Sequence, residues 1–227
     1  MKRLILQTYY HHEQNKADKK VGCYIPADEL AIESEERFRI YADSIDADYK
    51  IITSPPFEKL PMPAWARFAI LWETDYDEVC YIDADILPSH RALGVSIFDY
   101  DGVAKQTERD EGTRAAWHVN AGVFKLTRRE MYKMRPYVFY KPFVRYVQMS
   151  GKNQDPFNEM YKKAMGRKPK FLSPIWNMTR PYHRKLEPAG GYFAHYIGHQ
   201  KVGNGNQWGC MKKDPIYLEK EWMELGT

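Results

Sequence analysis

Cysteine is scarce in this chain of 227 residues: Cys23, Cys80 and Cys210 are odd in number, widely spaced and form no Cys-x-x-Cys pair. That excludes a disulfide framework and a thiolate-built structural zinc site. Long apolar runs are lacking as well. The opening stretch through Leu6 breaks at Gln7 and Thr8, too short for the apolar core of a secretion signal, and no later run could cross a bilayer. A cytoplasmic location without a membrane span is the resulting expectation, and it discounts the glycosylation-acceptor pattern at Asn177-Met-Thr179. There is no long block of one charge either. The formal net charge of +4 is spread along the chain, which excludes a footprint for duplex nucleic acid while leaving a cationic excess that suits a phosphate-bearing small molecule. Repeats, low-complexity runs and flexible linkers are absent, so the chain reads as one globular body.

What is present is an alternation of strands and helices. Arg3 to Thr8 reads as a short buried strand opening into a polar, irregular stretch from Tyr9 to about Pro26. Ser34 is placed to cap a helix carrying Phe38, Tyr41 and Ile45, and Tyr49 to Thr53 follows as a second strand. After a segment broken by four prolines between Ser54 and Pro63, Pro63 is placed to start a helix carrying Trp65, Phe68, Ala69 and Trp72. Glu78 to Ile82 then runs as a third strand straight into Asp83. Gly102 to Gln106 and Val119 to Leu126 are further strands, and Thr127-Arg-Arg-Glu130 is a capping box that opens a helix. Asp155-Pro156 starts a helix running to Gly166. Lys170 to Leu172 and Gly191 to His195 read as short strands, and the last fifteen residues as a polar amphipathic helix. This pattern predicts an α/β fold, a mixed, mostly parallel central sheet flanked by helices, with ligands beyond the carboxyl ends of its strands. About 1–100 reads as the nucleotide-binding half of a single domain over 1–227, and about 101–227 as the acceptor half with a tail.

The chemistry concentrates at Asp83-Ala84-Asp85. If extended geometry persists, carboxylates at i and i+2 project to one side, and two hard oxygen donors suit Mg²⁺ or Mn²⁺ completed by diphosphate and water. From those residues alone a solvated strand-end turn is the commoner reading. Downstream, His195, Gly198 and Lys201 stand at intervals of three after a strand. Imidazole can add a third ligand, glycine lets backbone approach a phosphate, and lysine can neutralise a leaving diphosphate. A nitrogen donor favours Mn²⁺ over Mg²⁺ or Ca²⁺. His11, His12, His118, His183 and His199 share no ligand spacing and read as surface or loop. Trp117 and Trp176 read as core packing ahead of sugar platforms, and Cys80 as a small hydrophobe.

The ordered set Arg67, Tyr81-Ile-Asp83-Ala-Asp85, Asn120-Ala-Gly122, Asn153-Gln154-Asp155-Pro-Phe-Asn158, Trp176-Asn177 and His195 to Lys201 resembles GT-A fold glycosyltransferases. The likeness is greatest to glycosyltransferase family 8, which includes glycogenin and lipopolysaccharide galactosyltransferases. Small GT-A modules also occur in large algal viruses that glycosylate their own capsids. The resemblance implies a metal held by Asp83, Asp85 and His195. It implies donor contacts at Thr8, Tyr10, Arg67, Asp83, Ala84, Asn120, Ala121, Gly122, Gly198 and Lys201, with Gln154 near the anomeric carbon. Its weakest part is the amino terminus, where Thr8-Tyr-Tyr-His-His12 replaces the family's Thr-Asp-Asp-Asn-Tyr; a tyrosine there could still stack on uracil. Asn153 replaces the first acidic residue of the family's Asp-Gln-Asp, so Asp155 stands as general base, sugar-hydroxyl ligand or helix cap, and retaining and inverting outcomes both stay open.

The expected function is sugar transfer from a nucleotide diphosphate donor, a UDP-sugar, to a carbohydrate or glycoprotein-glycan acceptor with Mn²⁺, Mg²⁺ being the other candidate ion. A sugar nucleotidyltransferase is the first rival, although Thr8 to Glu13 contains no glycine for a triphosphate loop. A non-catalytic binding module of the same fold is the second.

Overall fold

Leu4, Ile5 and Leu6 are each fully enclosed, which is what a strand buried on both faces requires. The structure is a computed structural model and describes residues 1–9, 27–54, 63–106, 119–141, 154–179 and 191–195. Its main sheet has the order β2-β1-β3-β6-β5, with β1 at Arg3–Thr8, β2 at Asp48–Ile52, β3 at Glu78–Asp83, β5 at Ala104–Gln106 and β6 at Val119–Thr127. β1 runs parallel to both β2 and β3, while β6 is antiparallel to β3 and β5. The expected mixed central sheet is thus observed, with β2, β1 and β3 mutually parallel and β6 and β5 antiparallel beside them. A second, three-stranded sheet joins β4 (Ile86–Pro88), β8 (Phe193–His195) and β7 (Met178–Thr179) in the order β4-β8-β7.

The two-residue period of the strands sorts their side chains into two cores. Leu4, Leu6, Val79, Tyr81, Phe124 and Leu126 pack on one face with Trp65, Phe68, Met131, Phe157 and Tyr161. Ile5, Cys80, Ile82 and Val123 pack on the other with Phe38, Tyr41, Ile86, Trp176 and Phe193. The helices supplying these layers are α1 (Ala27–Ser44), α2 (Pro63–Ala66, continued as a 3-10 helix over Arg67–Trp72), α3 (Arg128–Met134) and α4 (Gln154–Met165). At the start of α3 the Thr127 side chain accepts from the Glu130 backbone while Glu130 reaches back to the Thr127 N–H, completing the predicted capping box. α4 stops at Met165, and Gly166 follows at φ 67°, a left-handed conformation glycine adopts without strain.

Three boundaries differ from expectation. Ser34 does not cap α1 but lies inside it, fully buried, because its hydroxyl is needed to satisfy the chain beside it: it donates to the Ile86 carbonyl at 2.6 Å. Lys170 to Leu172 forms no strand, only a bridge between Phe171 and Ala104. Helix α4 begins at Gln154, so Asp155 lies in its first turn and not at the cap before it. The terminal helix, and most of the irregular stretch after Tyr9, lie outside the described residues. Among the described residues no helix is long and apolar enough to cross a membrane.

Cys80 points into the second core, and burial pushes its thiol up to about 12. A neutral thiol is a poor nucleophile, so Cys80 is expected to resist iodoacetamide in the native protein and to be alkylated once denaturant is added. Peptide mass spectrometry reads this directly. Rapid native labelling of Cys80 would contradict the packing.

Candidate metal centre

β1 and β3 end together, with Thr8 paired to Asp83 at the last register position. The antiparallel β6 brings its amino-terminal end to the same edge, since Ile82 pairs with Val123 and leaves Asn120, Ala121 and Gly122 just beyond. The carboxyl edge of the parallel strands is therefore where side chains meet, as expected for an open α/β sheet.

Asp83 is the last residue of β3, but extended geometry does not persist past it. Ala84 and Asp85 form a turn, after which β4 leaves the main sheet to pair with β8. The two carboxylates thus converge through a turn and not through strand pleating. Gln7 and Ser34 support that turn. The Gln7 side-chain amide donates to the Ser34 hydroxyl at 2.8 Å and to the Asp83 carbonyl at 3.4 Å, and Tyr49 donates to the Gln7 oxygen at 2.6 Å. Both Gln7 and Ser34 are fully buried, so water does not compete for these bonds.

The antiparallel register Ile86 to His195 sets His195 beside Asp85. Strands of three and two residues are too short to hold a sheet by main-chain bonds alone. Aromatic packing anchors it: Phe193 lies edge-on to Phe38 at 5.0 Å, to Tyr41 at 5.1 Å and to Trp176 at 5.1 Å, and Trp176 lies 4.5 Å from Tyr192. A fully buried aromatic of this kind contributes roughly 3 kcal/mol, enough to place His195 without long strands. Trp176 is accordingly core, fully enclosed, as the sequence reading preferred.

Asp83, Asp85 and His195 offer one ligand atom each within 4.8 Å of one another. Nε2 of His195 lies 3.3 Å from Oδ1 of Asp85, close to the separation of about 3 Å expected for neighbouring donors that each sit about 2.1 Å from one octahedral ion. Two carboxylates and an imidazole are a donor set that suits a first-row divalent metal. The residues fit a metal, and the sequence-derived trio is brought together.

Asp83 is the more enclosed carboxylate, with 21% of its side chain exposed. Burial pushes its carboxyl above the ordinary carboxylate range; Arg67 opposes this and Asp85 adds to it. Tyr81 donates its hydroxyl to Asp83 at 2.8 Å, and Thr8 shares a hydrogen bond with the same hydroxyl at 2.9 Å. Arg67 donates to both Asp83 oxygens at 3.2 and 3.4 Å and, from its other terminal nitrogen, to the Ala121 carbonyl at 2.7 Å. Arg67 therefore ties Asp83 at the end of β3 to the start of β6. Ala121 keeps its methyl in the core, 1% exposed.

Gly122 has a reason at this site that spacing could not supply. A Cβ there would stand 2.4 Å from Cε1 and 3.0 Å from Nδ1 of the His195 ring, so the ring lies where any side chain would be. Asn177, which the sequence offers as the second half of a Trp-Asn pair and as a discounted glycosylation acceptor, is fully buried and bonds His195 at 2.7 Å. Tyr10, Gly198 and Lys201 lie outside the described residues, as do Asn153, Trp117 and His11, His12, His118, His183 and His199. Gln154 and Asp155 are placed by the α4 backbone, at its amino-terminal end.

No family model matches the sequence, and no curated protein matches it. Solved structures do match. A glycosyltransferase involved in glycosylation of the major capsid of PBCV-1 superposes with a TM-score of 0.54 at 13% identity, covering 87% of this chain and 94% of that one. The glycosyltransferase GlyE of Streptococcus pneumoniae TIGR4 gives 0.55 at 15% identity over 97% of this chain, which spans 61% of GlyE. The galactosyltransferase LgtC, solved with donor and acceptor sugar analogs, gives 0.51 at 13% identity, covering 99% of this chain and 96% of LgtC. The chain has the GT-A fold of these enzymes.

Proposed function

We propose that this protein is a metal-dependent glycosyltransferase that moves a sugar from a nucleotide diphosphate donor, a UDP-sugar, to a hydroxyl of a carbohydrate or glycan acceptor. The observation that carries the reading is the meeting of Asp83, Asp85 and His195 at the carboxyl edge of β1 and β3 in a GT-A sheet. Those three residues would hold Mn²⁺, the imidazole favouring it over Mg²⁺. The ion's chemistry when bound is to neutralise charge on the departing diphosphate.

The chain's own groups supply the rest. Arg67 and the Tyr81 hydroxyl orient the Asp83 carboxylate toward the site, and Gln7 and Ser34 hold the turn that aims Asp85. By the resemblance, Gly198 and Lys201 bind the diphosphate, Thr8 and Tyr10 face the base, Ala84, Asn120, Ala121 and Gly122 border the donor, and Gln154 lies near the anomeric carbon, with Asp155 next to it in α4. An inverted product would make Asp155 the general base, because inversion needs a proton acceptor opposite the leaving group; a retained one leaves that task to the leaving phosphate.

The test is thermal stabilisation across a panel of nucleotide sugars with and without Mn²⁺, followed by assay of UDP release. A donor at a hundred times its Kd adds about 2.7 kcal/mol of stability. Stabilisation by one donor that requires Mn²⁺, with slow UDP release, is expected. Stabilisation without any release points to a binding module. Turnover of a sugar 1-phosphate with a nucleoside triphosphate points to a nucleotidyltransferase.

A further inference from the structure

A neutral histidine offers a lone pair from one ring nitrogen only, and which one is decided by what the other nitrogen touches. Here Nε2 faces Asp85 at 3.3 Å, and Nδ1 lies 2.7 Å from Oδ1 of Asn177. The oxygen and nitrogen of an asparagine amide exchange places by a simple flip, so Asn177 alone does not say where the ring proton sits.

The ambiguity is resolved one residue further out. The Gly122 backbone N–H donates to Oδ1 of Asn120 at 2.8 Å. A backbone N–H cannot accept, so the Asn120 atom that meets it must be the oxygen. Nδ2 of Asn177 donates to that same oxygen at 3.2 Å, which leaves the Asn177 oxygen turned to the ring. An amide oxygen only accepts, and Nδ1 must therefore carry the proton. Asn177 is fully buried and His195 is 7% exposed, so water is poorly placed to take over either role.

We propose that Asn120 and Asn177 form an amide relay that holds His195 with its proton on Nδ1 and its lone pair on Nε2, the nitrogen that faces Asp85. The relay's purpose rests on the metal reading above; its geometry does not. Asp85 pulls the other way, because a carboxylate beside Nε2 is a good acceptor for a proton on that nitrogen. Without the relay, neutral His195 turns its proton to Asp85 and the lone pair away from the site. Asn120 and Asn177 are thus positioning residues, anchored in the end by a main-chain group that cannot change its role.

Long-range ¹H–¹⁵N correlation spectra of the metal-free full chain read the tautomer, taken at roughly two pH units above the ordinary histidine value of about 6.5. His195 is assigned by the signal lost in His195→Gln. A proton on Nδ1 is expected, and a predominant Nε2–H form overturns the relay. Asn120→Asp keeps an acceptor for both donors and should keep the tautomer. Asn177→Leu removes both bonds and should move the proton to Nε2, with Mn²⁺ affinity, followed by water-proton relaxation, falling about 10- to 100-fold. A folded Asn177→Leu protein with unchanged tautomer and affinity also overturns it. If the unmodified protein binds no Mn²⁺, the metal reading fails, while the tautomer of His195 still decides the relay.

Discussion

Asp85→Ala is expected to abolish Mn²⁺ binding, donor binding and turnover together while leaving the fold intact. Asp85 sits in the turn between β3 and β4, outside both ladders, with 35% of its side chain exposed. Substitutions at such positions usually change stability by no more than about 0.5 kcal/mol. Its oxygen is nevertheless one of the three ligand atoms, and the one nearest His195. Removing it leaves two protein ligands for an ion that must also carry the diphosphate. Asp83 is a less decisive position to test, because its carboxylate also receives Arg67 and Tyr81. Truncating it would leave the largely enclosed Arg67 guanidinium with only the Ala121 carbonyl as acceptor and mix a stability loss into the result. Calorimetric titration with Mn²⁺ and UDP release from the preferred donor measure the effect. An Asp85→Ala protein with normal metal-dependent turnover would falsify the assignment of the centre.

Gly122→Ala is the second large effect, and it acts without replacing a ligand. Gly122 has no left-handed φ, so alanine is tolerated by the backbone. The obstacle is space. The new methyl would fall 2.4 Å from Cε1 of His195 and 3.0 Å from Oδ1 of Asn120, whereas carbon contacts need about 3.5–4.0 Å. The ring must move by roughly 1 Å, and it has little room to do so, being 7% exposed and held between Gly122, Asn177 and Asp85. Overpacking of this kind costs about 1–3 kcal/mol, visible in chemical denaturation. Displacing His195 should also weaken Mn²⁺ about 10- to 100-fold, as other changes to the support of a metal ligand do. Unaltered affinity in Gly122→Ala would mean that His195 is not a ligand.

Much of this site was legible from residue order. An apolar run ending in two aspartates announces a strand that stops at the edge of a sheet, and β3 ends at Asp83. The capping box at Thr127 is a local device, complete within four residues, and it forms as read. His195 followed from its place after a strand. Serine before an apolar periodic stretch looks like a cap, whereas the buried partners of the Ser34 hydroxyl, Gln7 of β1 and the Ile86 carbonyl of β4, arrive only in the tertiary fold. Asn177 was visible as a residue and silent as a role, since its two partners come from residues 120 and 195.

The sequence by itself determined what is local: the strand and helix alternation, the carboxylates at the end of β3, the cap at Thr127, and the presence of an imidazole able to join them. Tertiary structure alone decided which of these groups meet. The turn at Ala84-Asp85 diverts β4 into a second sheet, the Ile86 to His195 register carries the far end of the chain to Asp85, and Gly122 leaves the gap into which the ring fits. Those are contacts between elements distant along the chain, set by packing and register, and no periodicity within a single segment encodes them.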